Sequence, residues 1–166
     1  MSKDKIDNGN FIHSHFSDSV SLHASCVSVK GTAVLLIGEA STGKSDLALR
    51  MIDRGAELVS DDQVVLSSDG EKLTASSPDN IKGLIEIRGI GIFRLPYQVA
   101  EVGLVVKLSE RAMIERLPYP ESFESMGIKV PQILVSSFDA TAPIKIEMSI
   151  AALHNSSMMV GALTNE

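Results

Sequence analysis

The segment Gly38-Glu39-Ala40-Ser41-Thr42-Gly43-Lys44-Ser45 restricts the architecture of this chain more than any other. It matches G-x-x-x-x-G-K-[ST], a loop whose backbone N–H groups wrap a polyphosphate. The apolar run Ala33-Val34-Leu35-Leu36-Ile37 precedes it, and Ser45-Asp46-Leu47-Ala48-Leu49-Arg50-Met51-Ile52 follows with helical spacing. Strand, loop and helix in that order are the context the motif requires. Gly38 and Gly43 permit backbone angles closed to other residues. Lys44 can reach the β- and γ-phosphates, and the Ser45 hydroxyl can ligate Mg²⁺. The helix N-terminus adds partial positive charge facing them. A chain of this pattern is expected to bind a nucleotide through Gly38, Glu39, Ala40, Ser41, Thr42, Gly43, Lys44 and Ser45.

The size leaves room for little else. With 166 residues, 44 % of them hydrophobic, the chain can build one full core but not two comfortable domains. A net charge of −6 argues against a broad nucleic-acid surface. The single Cys26 cannot form an internal disulfide. No apolar stretch approaches the ~20 residues needed to cross a bilayer. The start, Met1-Ser2-Lys3-Asp4-Lys5, leads into polar residues rather than an apolar signal core. The expectation is a soluble, cytoplasmic protein without a membrane span and without a nucleic-acid partner.

Residues 1–19 read as a polar leader, with His13 and His15 lacking acidic or Cys partners at ligand spacing. Residues 20–166 read as one domain. Val27 and Val29 alternate with Ser28, and Lys30-Gly31-Thr32 turns the chain into the strand before the loop. A helix is expected from about Ser45 to Arg54 with Gly55 as its C-cap, then a strand over Glu57–Ser60. Val64–Leu66 and Lys72–Ala75 flank an Asp69-Gly70 turn and predict a hairpin. Gly83–Ile92 is a β-rich run punctuated by glycines, and another strand spans about Val102–Leu108. Leu117–Pro131, with Pro118, Pro120, Gly127 and Pro131, reads as a long, mobile connection. The tail, Ile144–Leu163, reads as a terminal helix, with the alternation at 144–148 leaving a strand open.

Asp61-Asp62 follows the strand after the loop helix. At a strand end the chain can turn and deliver both carboxylates, one to accept a hydroxyl proton and the other to hold Mg²⁺. Glu86 and Arg88 lie two apart and would share one face of a strand. They are either a solvated ion pair or a metal ligand beside a phosphate-neutralising guanidinium. His23, alone before the first hairpin, has no spacing argument behind it.

Taken together, Gly38–Ser45, Asp61-Asp62, Leu84-Ile85-Glu86-Ile87-Arg88-Gly89-Ile90-Gly91 and the upstream Leu22-His23-Ala24-Ser25 resemble bacterial HPr kinase/phosphorylase over about residues 20–150. The resemblance is to that family's catalytic domain in its short, alphaproteobacterial form. It implies an α/β fold, a P-loop kinase domain resembling phosphoenolpyruvate carboxykinase, with a mixed β-sheet and flanking helices. It implies ATP- and Mg²⁺-dependent phosphorylation of a serine on an HPr-type phosphocarrier of the phosphotransferase system, with phosphate-dependent dephosphorylation, in a hexamer. By position, Lys44 would bind phosphates, Ser45 and Glu86 would hold Mg²⁺ with Asp62 as a further candidate, and Asp61 would be the general base. His23 and Arg116 match the family's active-site histidine and arginine, and Arg88 is a further candidate site residue beside Glu86 in the motif.

Two departures stand out. Ser41 occupies a position where the family often has a third glycine. The late loop associated with phosphate attack on phosphoserine, typically closing in a Gly-Arg-Asn-like turn, is replaced by Pro131–Val135 and Ser136-Ser137-Phe138. Two other readings compete: a small-molecule kinase, for which little chain remains to close a substrate pocket, and a nucleotide-sensing module without turnover.

Overall fold

The computed structural model describes residues 18–161. Strand β3 (Thr32–Ile37) occupies the middle of a large mixed sheet. It forms an antiparallel hairpin with β2 (Ser25–Val29), joined through Lys30 and Gly31, both at positive φ, as a two-residue turn of that kind demands. On the other edge β3 runs parallel to β9 (Ala100–Leu108). β2 then pairs with β4 (Glu57–Ser60). The sheet continues past β9 through β6 (Leu73–Ser76) and β5 (Gln63–Ser68) to β1 (Ser19–His23).

Both faces of the central strands are buried, which is why Ala33–Ile37 is a continuous apolar run rather than an alternating one. Val34 and Leu36 face Leu47, Ala48 and Met51 of helix α1 (Lys44–Asp53), and Ile146 and Ile150 of helix α2 (Ala142–His154). Ala33 and Leu35 face the opposite cluster, with Cys26, Val64, Leu66 and Val105. Helix α1 stops where expected: Ala56 N–H bonds to Met51 O and Gly55 takes φ +109, a left-handed C-terminal closure. The β5–β6 hairpin turns at Asp69-Gly70, where Asp69 Oδ1 accepts from the amides of Glu71 and Lys72, each at 2.9 Å.

Three expectations change. The stretch 117–131 is not merely a connection, because it carries β10 (Glu121–Ser125) and the start of β11 (Ile128–Val135). Met126 and Gly127, both at positive φ, close this hairpin, a turn signal outweighed on sequence by the prolines around it. Pro131 is tolerated because pairing of β11 with β9 begins only at Gln132. The Gly83–Ile92 run is a separate hairpin of β7 (Leu84–Ile87) and β8 (Gly91–Arg94). Arg88 therefore lies in its turn and does not share a strand face with Glu86. The tail helix is shorter than expected, ending at His154 before a 3-10 turn over Ser156–Met158, and nothing at 144–148 is extended. Most of the polar leader, with His13 and His15, lies outside the described residues, and β1 begins at Ser19. No helix among the described residues is long and apolar enough to cross a membrane.

Candidate active site

The parallel strands β3, β9 and β11 all end at the same edge of the sheet, and the 38–45 loop crosses it. Gly43 is the N-cap of α1 at φ +88, and a Cβ there would stand 2.7 Å from Ser137 Oγ. Glycine is required there on both counts. Ser41 also takes a left-handed conformation, φ +63, a backbone geometry that favours glycine. The Lys44 ammonium is buried and donates to the carbonyls of Gly38 (2.8 Å) and Glu39 (2.7 Å), folding back over its own loop. Thr42 Oγ1 donates to Glu39 O at 2.8 Å.

The two aspartates part company at the end of β4. Asp61 is 6 % exposed and its Oδ1 accepts from Ser45 Oγ (2.7 Å) and Ser25 Oγ (2.8 Å). Its Oδ2 receives a long contact, 3.4 Å, from the Glu86 amide, which brings β7 beside the loop. Asp62 turns outward at φ +67, and its carboxylate stands 3.4 Å from His23 Nδ1, both side chains well exposed. The pairing of β1 with β5, His23 opposite Gln63, creates that meeting. No spacing rule could have revealed it, since the two residues are far apart in the chain.

The Glu86 side chain is exposed on β7, Arg88 lies in the turn beyond it, and Arg116 is exposed in the segment after β9. The structure thus joins Ser45, Asp61, Ser25 and the Glu86 amide in one contact network, with Lys44 folded over the adjoining loop and His23 paired with the neighbouring Asp62. Arg88 and Arg116 form no hydrogen bond or ion pair with that network.

Sequence reasoning missed the partner of the loop. After β11, Ser137 Oγ donates to Thr42 O, and Arg50 of α1 donates to Ser137 O. The Phe138 ring lies against Gly43. A Ser-Ser-Phe turn carries no phosphate signature, so only the parallel placement of β11 could bring it here.

A loop of this kind between a buried strand and a helix, with a buried carboxylate on its terminal serine, defines a P-loop nucleotide-binding α/β protein. Comparison with known proteins narrows this. The model for the HPr Serine kinase C-terminal domain matches residues 14–164, and the chain belongs to that family. It is 37 % identical over 139 residues to the HPr kinase/phosphorylase of Thermoanaerobacter sp., covering 76 % of this chain and 46 % of that protein. With the enzyme of the same name from Caldicellulosiruptor bescii it shares 32 % identity over 164 residues, 91 % of this chain and 52 % of that protein. The chain therefore spans about half the length of these curated relatives. The structure of the HPr(Ser) kinase/phosphatase from Coxiella burnetii superposes with a TM-score of 0.72 at 32 % identity, covering 84 % of this chain and 98 % of that one.

Proposed function

We propose that this protein transfers the γ-phosphate of ATP, with Mg²⁺, to a serine of an HPr-type phosphocarrier. The observation that carries the reading is an edge shared by two things: a phosphate loop whose serine is tied to Asp61 at 2.7 Å, and an exposed carboxylate, Asp62, beside His23. Phosphoryl transfer asks for positioning and charge neutralisation more than covalent chemistry, and these residues supply both.

Lys44 would exchange its two loop carbonyls for phosphate oxygens. The residues fit Mg²⁺: Ser45 donates its proton to Asp61, so its oxygen lone pairs remain free for a hard cation. Glu86 would complete the protein's share. When bound, the ion neutralises charge on the transferring phosphate.

Asp61 is the expected general base, but its burial and its two hydroxyl donors make it a poor acceptor for a proton from a protein substrate. The reading supported best gives that role to Asp62, which is exposed and faces His23. The serine oxygen attacks the γ-phosphorus, the bond to the β–γ bridging oxygen breaks, ADP leaves, and the serine proton passes to Asp62. Arg116 and Arg88 would join only when substrate draws their segments inward. The same reading includes dephosphorylation of the phosphoserine by inorganic phosphate, the second activity in the name of the relatives called HPr kinase/phosphorylase. A hexamer and a cytoplasmic location belong to the same reading.

Intact-mass analysis of HPr-like carriers, after incubation with this protein and Mg-ATP, tests it. A phosphate-sized gain on serine that disappears with Asp62→Asn is expected. Absence of any gain on every carrier, despite Mg-ATP binding, would overturn it.

A further inference from the structure

The turn after β11 has no part in the chemistry above, yet it is held against the phosphate loop on several sides. Ser137 Oγ bonds to Thr42 O, and Arg50 bonds to the carbonyls of Ser137 and, at 3.4 Å, Asp139. The turn closes on itself through Asp139 N–H to Ser136 O (3.2 Å) and Ala142 N–H to Asp139 O (3.0 Å). The Asp139 carboxylate is tethered by Lys145 at 3.4 Å and Arg111 at 3.9 Å. All this bonding presents one side chain, Phe138. Two edge carbons of its ring lie 3.3 Å from the position a Gly43 Cβ would take, while the ring is 75 % exposed. A large aromatic left in water on a tethered turn is a surface prepared for a flat partner.

The order of strands says which partner. Across the loop-bearing edge the sequence is β11, β9, β3, β2, β4. Ser45 bonds to Asp61 at the β4 side, where Glu86, Asp62 and His23 also gather. The transferable end of a bound triphosphate must face that side. Its nucleoside then trails over the first turn of α1 toward the ends of β9 and β11, where Phe138 sits.

We propose that Phe138 is the stacking platform for the nucleobase of the triphosphate, a positioning and affinity residue rather than a catalytic one. The inference rests on the reading of Gly38–Ser45 as the polyphosphate site. Stacking uses the π-face and is tolerant of base identity. Gly43 also takes on a second role, since a side chain there would displace the ring.

The test compares ATP with inorganic tripolyphosphate, each with Mg²⁺, on the full chain. Phe138→Ala should weaken ATP binding roughly tenfold, as loss of one base–aromatic stack does, and leave tripolyphosphate binding unchanged. Phe138→Trp should retain ATP affinity. Since the chain has no tryptophan, the introduced indole is a lone reporter whose emission ATP should quench and tripolyphosphate should not. Unchanged tripolyphosphate binding also shows that the alanine variant is folded. Equal effects of either substitution on the two ligands would overturn the stacking role while leaving the phosphate site intact. Failure of the wild-type protein to bind either ligand would overturn the phosphate site, and the platform with it.

Discussion

The Ser45 hydroxyl donates to Asp61 Oδ1 across 2.7 Å, tying the first turn of α1 to the end of β4. The same oxygen accepts from Ser25 on β2, so one buried carboxylate joins three elements beneath the phosphate loop. Its neighbour, Asp62, points the other way into solvent. A pair of identical residues is thereby split into a buried hydrogen-bond acceptor and an exposed carboxylate.

The two aspartates should respond differently to the same change. Asp61→Ala strands the buried Ser25 hydroxyl and should destabilise the fold by about 2 kcal/mol, while also weakening Mg-nucleotide binding. Asp62→Asn should leave stability and nucleotide affinity near wild type and abolish most transfer. Thermal melts with nucleotide titrations check the first half, and single-turnover phosphorylation checks the second. Loss of transfer with Asp61→Asn alone, binding intact, would return the base role to Asp61.

Ser41 stands at φ +63, and among the described residues its hydroxyl has no hydrogen-bond partner that would offset the strain. Ser41→Gly should therefore stabilise the protein by about 1 kcal/mol, read as a rise in denaturation midpoint with unchanged denaturant slope.

Glu147 accepts a two-point bond from Arg54, at 2.8 and 2.7 Å, clamping α2 to the end of α1. The bond to the guanidinium holds the Glu147 carboxyl below its ordinary value of 4.5. A lowered carboxylate pKa contributes stability above its unfolded value and loses it as pH falls through the folded one. Glu147→Gln should thus lower the melting temperature at pH 7, and the difference from wild type should shrink below about pH 4.5. A difference independent of pH would show that packing, not charge, holds the two helices there.

Cys26 is fully buried on β2, and burial pushes its thiol far above the usual range. The thiolate is the reactive form, so labelling by a thiol reagent in native conditions should be slow and should track global unfolding. Rapid stoichiometric labelling would mean that β2 opens locally.

The local elements around the phosphate loop follow from short-range rules alone. The G-x-x-x-x-G-K-S pattern needs backbone freedom at Gly43 and a helix starting at Lys44, and both are present. Gly55 closes that helix, and Asp69-Gly70 turns the next hairpin. In these cases a single residue's φ or side-chain bond decides the local path. The Met126-Gly127 turn obeys the same rule, but Pro118, Pro120 and Pro131 suggested a connection, because proline's cost depends on which strand edge is paired.

What tertiary structure alone decided is which side chains meet at the candidate site. His23 meets Asp62 only because β1 pairs with β5, and Phe138 meets Gly43 only because β11 runs parallel to β9. Neither contact has a spacing signature, since sheet order can join residues at any separation along the chain. Whether Asp61 or Asp62 faces solvent likewise turned on one left-handed residue at the end of β4. Residue types announced a phosphate site, while burial and strand order decided which side chains meet there and which of the two carboxylates faces solvent.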